Sequence, residues 1–315
     1  MLRFVVVGVG KMASDVLKLL HAAPGADPVL AIGDPAREAA QSRLAADCAK
    51  LGVAHVAARR LDAPEALAAL RAADADYIVS ANNFMIFREA ALATARRGVV
   101  NFHNGPLPRY GGLHACSWAL FNGEREHGVT WHLVDSGIDS GPLLAQRRFP
   151  IGEEDTAIGL IARCIREGVG LFAEILPGLV DGTLTARPQD HAGRLYYGAK
   201  DRPFGGDLPW SHGVGPARRL ARALSFSPMP NLFFQPRIVF AQGEAFAGIV
   251  EPPEMRAVEA GLVAEADADG VTIGLGEACL RLRDLRDAQG RPATAAALGL
   301  AVGARLIDPT QRDAG

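Results

Sequence analysis

The sequence predicts an α/β protein, with a mostly parallel sheet carrying helices on both faces and a smaller all-β domain after it. Three observations carry this. Short β-branched runs alternate with helical stretches over roughly the first 185 residues. A Gly-rich turn joins the first such run to the first helix. Beyond about residue 213 the texture changes to short runs punctuated by Gly and Asp-Gly turns. A length of 315 residues fits about two domains.

Residues 3–7, RFVVV, form the first run, which ends in Gly8-Val9-Gly10; Leu17, Leu19 and Leu20 then continue at helical spacing. The run 29–32 closes on the turn Gly33-Asp34-Pro35. An Ala-rich helix is expected from there to about Leu51, then a strand near 53–56, a helix over 63–73 and a strand at 77–80. A helix over 88–97 should stop at Gly98, before the strand 99–102. A further strand is expected over 129–133. Strands and helices alternating at this interval close into a parallel sheet through right-handed crossovers. The first domain is therefore expected over 1–185. Residues 186–213, with ARPQD and DRPFGGDLPW, read as a linker. A helix over 215–223 and short strands at 237–240, 248–250, 261–264, 271–273 and 279–282 place a small barrel or sandwich over 214–308, with a frayed tail at 308–315.

Composition narrows the function classes. Hydrophobic residues make up 49% and charged residues 22%, which excludes a wholly disordered or fibrous chain. Lys+Arg 33 against Asp+Glu 35 leaves a net charge of -2, a poor footprint for gripping a phosphate backbone. Aromatics at 6% keep any base-stacking platform small. Cys48, Cys116, Cys164 and Cys279 are widely spaced, without a CxxC or other metal-ligand spacing, so reduced thiols and no metal are expected. The first residues have neither the length of a membrane span nor the parts of a signal peptide; a cytoplasmic protein with no membrane contact is expected.

Two stretches carry chemistry. Gly8-Val9-Gly10-Lys11-Met12-Ala13 fits G-x-G-x-x-G/A between a strand and a helix, with Asp34 at the end of the second strand. That pattern has three readings: a Rossmann-like nicotinamide site of an NAD(P)-dependent oxidoreductase, a tight crossover that wants glycine, or a helix N-terminus facing a substrate anion. In the second stretch, 101–142, Asn101 and His103 flank Phe102 at the end of a strand and so share one face. The next strand, with Thr130 and His132, runs into a Gly-rich loop carrying Asp135, Gly137 and Asp139. An amide, an imidazole and a carboxylate can thus meet at the sheet edge where ligands bind. Asn can donate to a developing oxyanion, His can shuttle a proton, and Asp can orient the His. His132 reads as a structural strand residue, and Arg218, Arg219 and Arg222 as a solvated helix face.

The second stretch resembles the signature of the folate-dependent formyltransferases, the family of methionyl-tRNA formyltransferase, glycinamide ribonucleotide formyltransferase and the sugar and peptide-synthetase N-formyltransferases. Its N-x-H-x-S-L-L-P reads here as Asn101-Phe102-His103-Asn104-Gly105-Pro106-Leu107-Pro108. Tyr110-Gly111-Gly112, Trp118, Gly128-Val129-Thr130-Trp131-His132 and Asp139-Ser140-Gly141 follow in the family's order. The resemblance covers about 1–210, including a helix over 155–176, and implies a Rossmann-like catalytic domain. Less specifically, 215–305 resembles the small OB-like β-barrel of the longer members.

The resemblance implies N-formyl transfer from 10-formyltetrahydrofolate, a cosubstrate, to a primary amine, with no metal. It puts the catalytic positions on Asn101, His103 and Asp139, with Asn101 and a protonated His103 stabilising the oxyanion and Asp139 keeping His103 oriented and cationic. It places the folate between the loop Phe84-Met85-Ile86-Phe87, with Leu92 as an apolar wall, and the loop holding Asp135, Gly137 and Asp139. Gly8, Gly10, Lys11, Tyr110 and His114 are then left to face the acceptor. Two departures stand out. Gly105 and Pro106 replace the usual Ser and first Leu, so the turn after His103 is reshaped. The stretch after the second strand, Gly33–Glu38 in numbers 33–38, is short and mixed in charge where methionyl-tRNA formyltransferases carry a long basic insertion. With the net charge of -2, this disfavours tRNA and favours a small-molecule or carrier-bound amine of amino-acid or secondary-metabolite type; an amino sugar nucleotide is an alternative. The oligomeric state is not legible in the sequence.

Overall fold

The computed structural model describes residues 1–38, 43–231 and 233–308. The RFVVV run becomes β1 (Leu2–Gly8), which leads through the glycine turn into α1 (Gly10–Ala22). After β2 (Ala26–Gly33) come a helical turn at Pro35–Glu38 and α2 (Arg43–Leu51); the middle of the expected Ala-rich helix, 39–42, lies outside the described residues. Next are β3 (Ala54–Ala57), α3 (Pro64–Ala73), β4 (Tyr77–Ala81) and β5 (Gly98–His103). Two longer strands complete the sheet, β6 (Glu126–Leu133) and β7 (Leu143–Pro150); the second was not foreseen.

The sheet order is β3-β2-β1-β4-β5-β6-β7. Strands β3 to β5 pair in parallel, and β6 runs antiparallel to β5. The order of the first five strands is that of a Rossmann-like sheet, whose direction of winding switches between β1 and β4. Phe4, Val5, Val6 and Val7 are all fully buried, as expected of a strand covered on both faces. Val5, Val7 and Ile78 pack with Ala66 and Leu70 of α3 in one cluster, and α1 lies against β1, β2 and β4. Each fully buried aliphatic side chain of this kind contributes about 1.5–3 kcal/mol.

The expected helix over 88–97 shrinks to a single turn, Glu89–Leu92. Its continuation is drawn off because the N–H groups of Arg96 and Arg97 donate to Ala75 O (3.0 Å) and Asp76 O (2.8 Å) ahead of β4. Backbone donors satisfied by a neighbouring turn end the helix as firmly as Gly98 would.

Packing divides the described chain into two units. The first comprises Met1–Gly112, Glu126–Phe149 and Ala162–Tyr196; the second comprises Leu113–Arg125, Pro150–Ile161 and the described residues from Tyr197 onward. The long helix α5 (Ala157–Asp181) follows β7, and α4 (Ala115–Phe121) precedes β6. The second unit contains α6 (Val214–Leu224) and an antiparallel sheet of β8 (Arg237–Phe240), β9 (Gly243–Val250), β10 (Val263–Ala266), β11 (Gly270–Gly274) and β12 (Cys279–Arg286), ordered β8-β9-β12-β11-β10. Its edges both bond to one late segment: Ile307 N–H donates to Val239 O at 2.8 Å, and Val263 N–H to Ala304 O at 2.9 Å. Of the expected tail, all but Asp308 lies outside the described residues. The arginines of α6 are not a purely solvated face: Arg219 donates to Phe121 O (2.9 Å) and Arg222 to Asp155 O (2.8 Å). Among the described residues no helix is long and apolar enough to cross a membrane.

Candidate active site

Strand β5 ends in Asn101-Phe102-His103, and its antiparallel partner sets the surroundings. The register pairs Asn101 with His132, Phe102 with Trp131 and His103 with Thr130. Paired residues share a face, so Phe102 and Trp131 lie together on one side of the sheet, their rings 5.4 Å apart. There Trp131 donates its indole N–H to Gly168 O of α5 at 2.9 Å. The polar four, Asn101, His103, Thr130 and His132, occupy the other side.

On that side four side chains form one cluster. His103 Nδ1 lies 3.4 Å from Asp139 Oδ2, and His132 Nε2 lies 3.6 Å from Asp139 Oδ1. The Asn101 amide nitrogen is 3.1 Å from His132 Nε2. Since His132 Nδ1 faces Leu133 O at 2.8 Å, its proton sits on Nδ1, and Nε2 accepts from Asn101. One N–H of Asn101 is thereby held, and among the described residues the second has no partner. Gly112 N–H donates to Asp139 Oδ2 at 2.8 Å.

His103 is only 6% exposed, and both its ring nitrogens face acceptors: Asp139 on one side and Tyr110 O, 2.7 Å from Nε2, on the other. Only the cation satisfies both. Burial nevertheless pushes the imidazole pKa below its ordinary 6.5, against the attraction of Asp139 and the Tyr110 carbonyl, with His132 and His127 adding to the downward push. Burial and the two facing acceptors thus pull the imidazole's titration in opposite directions. Burial pushes the Asp139 carboxyl up, but His103, His132 and Gly112 N–H together outweigh it and hold the group well below the usual carboxylate range.

Backbone geometry brings these groups together. Asp139 has φ +51° and Tyr110 φ +62°, left-handed conformations that cost an L residue about 1–2 kcal/mol. The Asp139 loop closes on itself, Asp135 Oδ1 accepting from Gly137 N–H (3.0 Å) and Ser140 Oγ–H (2.7 Å). Thr130 Oγ–H donates to Gly105 O (2.7 Å) and Gln146 to Leu107 O (2.7 Å), holding the turn after His103. A Cβ at Gly105 would stand 2.8 Å from His103 Nε2, so the glycine in place of the family's serine leaves room for the ring to reach Tyr110 O.

The remaining expected site residues fall into three sets. Met85 is buried in the α3-side cluster, with Phe87, Leu92 and Val134 packed against the same cluster, so the 84–87 loop and the start of the Asp139 loop share one support. The backbone N–H and C=O of Met85 are both taken by the Asn83 side chain, at 2.9 and 2.8 Å. Phe84 and Ile86 stay exposed at 53% and 67%, and the Arg37 guanidinium lies 3.7 Å from the Phe84 ring centre. In the glycine turn, a Cβ at Gly8 would stand 1.9 Å from Ala81 O, so this residue lets β1 and β4 approach. Gly10 has φ +66°, and Lys11 pairs with Asp15 one turn along α1. Asp34 accepts from Ala36 N–H at 3.0 Å and so caps the following turn. Tyr110 meets His103 through its carbonyl; its ring is buried edge-on to His127. His114 belongs to the second unit, where its ring lies 5.0 Å from that of Phe233 and burial pushes its pKa down.

His132, read from the sequence as structural, is therefore a member of the cluster. The pattern G-V-T-x-H marked it, but only the antiparallel register places it opposite Asn101.

Comparison with known proteins agrees with this geometry. A family model described as formyl transferase matches residues 2–176. The methionyl-tRNA formyltransferase of Halorhodospira halophila is 33% identical over 281 residues, covering 86% of this chain and 87% of that one. That of Synechococcus sp. (strain JA-3-3Ab) is 34% identical over 222 residues, covering 70% and 68%. Among solved structures, a sugar 3N-formyl transferase crystallised with dTDP and 5-N-formyl-THF superposes with a TM-score of 0.64 at 18% identity, covering 90% of this chain and 97% of that one. An N-formyltransferase from Helicobacter canadensis, in complex with folinic acid and dTDP-3-aminofucose, gives 0.63 at 18%, covering 90% and 99%. These two show the shared fold, whereas the sequence relatives and the family model show descent: this chain belongs to the formyl transferase family.

Proposed function

We propose that this enzyme transfers the formyl group of 10-formyltetrahydrofolate to the primary amine of a small-molecule or carrier-bound acceptor, of amino-acid or secondary-metabolite type. The observation that carries the reading is the chain of contacts at the end of β5 that links Asn101 through His132 to Asp139 and Asp139 to His103. The donor supplies an electrophilic formyl carbon. The amine nitrogen bonds to that carbon, the bond from the carbon to the folate N10 breaks, and the amine proton is passed on to N10.

In this reading the free N–H of Asn101 and the ring of His103 meet the negative charge that develops on the formyl oxygen. A preorganised donor of this kind is worth about 3–4 kcal/mol. Protonated, His103 has an acceptor ready at each nitrogen, Asp139 and Tyr110 O. Asp139, held ionised, stabilises that cation.

The folate fits the loop chemistry: Phe84 and Ile86 offer exposed apolar surface for a pterin, and Phe87 and Leu92 back it from the core. Asp135 and Gly137 shape the opposite loop. Gly8, Gly10, Lys11, Tyr110 and His114 are proposed for the acceptor side; the pairing of Lys11 with Asp15 leaves it a weakened anion ligand. The C-terminal sheet, its edges both bonded to 304–307, is proposed as an OB-like barrel.

A second reading, methionyl-tRNA as the acceptor, is favoured by the names of the relatives at 33% and 34% identity. Against it stand the net charge of -2 and the commitment of Arg219 and Arg222 of α6 to backbone carbonyls. An amino sugar nucleotide is the third acceptor class. The test is mass spectrometry of the enzyme with 10-formyltetrahydrofolate and a panel of amino acids, hydroxy-amines, amino sugar nucleotides, charged carrier protein and methionyl-tRNA, with Asp139→Asn as control. A product heavier by one CO, absent with the variant, names the acceptor. No product and no folate binding would overturn the reading.

A further inference from the structure

The segment after α5 read as a linker, yet its first residues return to the first unit and bond to Gly111 and to the Asp139 loop. Arg187 and Leu143 exchange backbone hydrogen bonds of 2.7 and 2.8 Å. Gly111 N–H donates to Leu195 O at 2.9 Å, and Arg194 donates to Ile138 O at 2.9 Å. Between them stands Gln189, 8% exposed, whose amide nitrogen lies 2.9 Å from Asp139 O and 2.7 Å from Gly141 O. Two carbonyl oxygens in front of one end of a carboxamide identify that end as the NH2, and both of its hydrogens are then used.

We infer that Gln189 is a positioning residue for formyl transfer, clamping the backbone of Asp139 so that its carboxylate meets His103 and His132 together. The inference rests on the formyl-transfer reading of this site. The clamp grips Asp139 itself and the second residue after it, on either side of the Ser140 peptide. Asp139 is held at φ +51°, a conformation that a non-glycine residue keeps only when its surroundings impose it. Its carboxylate approaches His103 at 3.4 Å and His132 at 3.6 Å, so a small backbone displacement separates it from both. A displacement of about 1 Å at a reacting centre costs about 100-fold in rate.

A side chain that merely satisfies two buried carbonyls would serve folding and nothing else. The Gln189 Oε1 is itself buried without a hydrogen-bond partner among the described residues, so the donor end fixes how the side chain is set. The loop also has Arg194 and the Asp135 turn to hold it, and so keeps its general course without Gln189.

The experiment compares the full-length enzyme with Gln189→Ala and with the near-isosteric Gln189→Glu, which removes the NH2. Three readouts are taken: kcat and KM for donor and acceptor, thermal unfolding, and the His103 titration by NMR. The expected result is a fall in kcat of about 100-fold in both variants, with both KM values nearly unchanged, thermal unfolding retained and the His103 titration displaced. Wild-type kcat in the variants overturns the inference, as does a loss of kcat that only tracks loss of folded protein while the His103 titration stays in place. If the wild type itself moves no formyl group, the functional reading fails separately. The His103 titration then decides alone whether Gln189 sets the Asp139–His103 pair: displaced, it does; unmoved, it does not.

Discussion

Asn101 hands one of its amide hydrogens to His132 Nε2, at 3.1 Å across the β5–β6 pair. The second amide hydrogen is thus aimed by a residue outside the Asn-His-Asp set. His132→Phe keeps the ring's volume and removes that acceptor. Steady-state kinetics of this variant should show kcat reduced on the order of 10- to 100-fold, with folate binding, read by fluorescence titration, retained.

Asp139→Asn keeps the residue's shape and its tolerance of the left-handed backbone while removing the charge beside His103. Formyl transfer should fall on the order of 1000-fold or more, because an amide cannot support an imidazolium. The thermal midpoint should fall as well, because the ionised carboxylate contributes to folding stability. A variant that keeps more than a tenth of wild-type activity (about 1.4 kcal/mol of lost transition-state stabilisation) would remove Asp139 from the reaction.

Stability should depend on pH through His103 in a defined direction. Its folded pKa lies below the ordinary 6.5 because burial disfavours the cation, while Asp139 raises it and His132 and His127 lower it further. The unfolded chain then binds the proton more readily, so this contribution is full above about pH 6.5 and is lost as the pH falls below it. Asp139, held below its ordinary 3.8, contributes stability that is present above that value and lost under stronger acid. Urea midpoints measured between about pH 7.5 and 5 should decline in the wild type. They should decline less in His103→Gln, and equal slopes would assign the effect elsewhere.

Gly105→Ala places a methyl group 2.8 Å from His103 Nε2 and 3.1 Å from Tyr110 O. The ring is bonded at both nitrogens and cannot swing aside without losing one partner. The substitution should destabilise the protein by about 1–3 kcal/mol, and kcat should drop with it. Differential unfolding and kinetics on the same preparation separate the two effects.

Phe84→Ala and Ile86→Ala remove exposed apolar side chains that pack against little of the protein core. Their unfolding free energies should stay within about 0.5 kcal/mol of wild type. The KM for the formyl donor should rise by about tenfold, as lost apolar contact of this size implies. An unchanged KM in both would move the folate elsewhere.

Much of this was legible in the sequence because it depends on local spacing. The alternation of Asn101 and His103 about Phe102 fixes their common face whatever the rest of the chain does. The same holds for β1 and α1, where β-branched residues and a glycine turn decide strand and helix within a few positions. What escaped depends on contacts between distant residues. His132 gains its meaning from an antiparallel register with a strand some 30 positions away. Gln189 sits in a stretch whose Pro, Gly and polar content reads as a linker, and only its return to the Asp139 loop gives it work. Lys11 and Asp34 looked available as ligands, and the fold adds a short-range partner to each, Asp15 and the Ala36 N–H. Single-turn helices such as Glu89–Leu92 were overestimated because propensity does not register competing backbone acceptors.

The left-handed backbone at Asp139 narrows what evolution can do with this position. A single base change in an aspartate codon reaches several amino acids, and among them glycine accepts φ near +51° most readily, with asparagine next. Descendants that abandoned the chemistry while keeping the scaffold would pass through those two residues first. Glycine or asparagine at position 139 is therefore the change that would remove the carboxylate while asking least of this backbone.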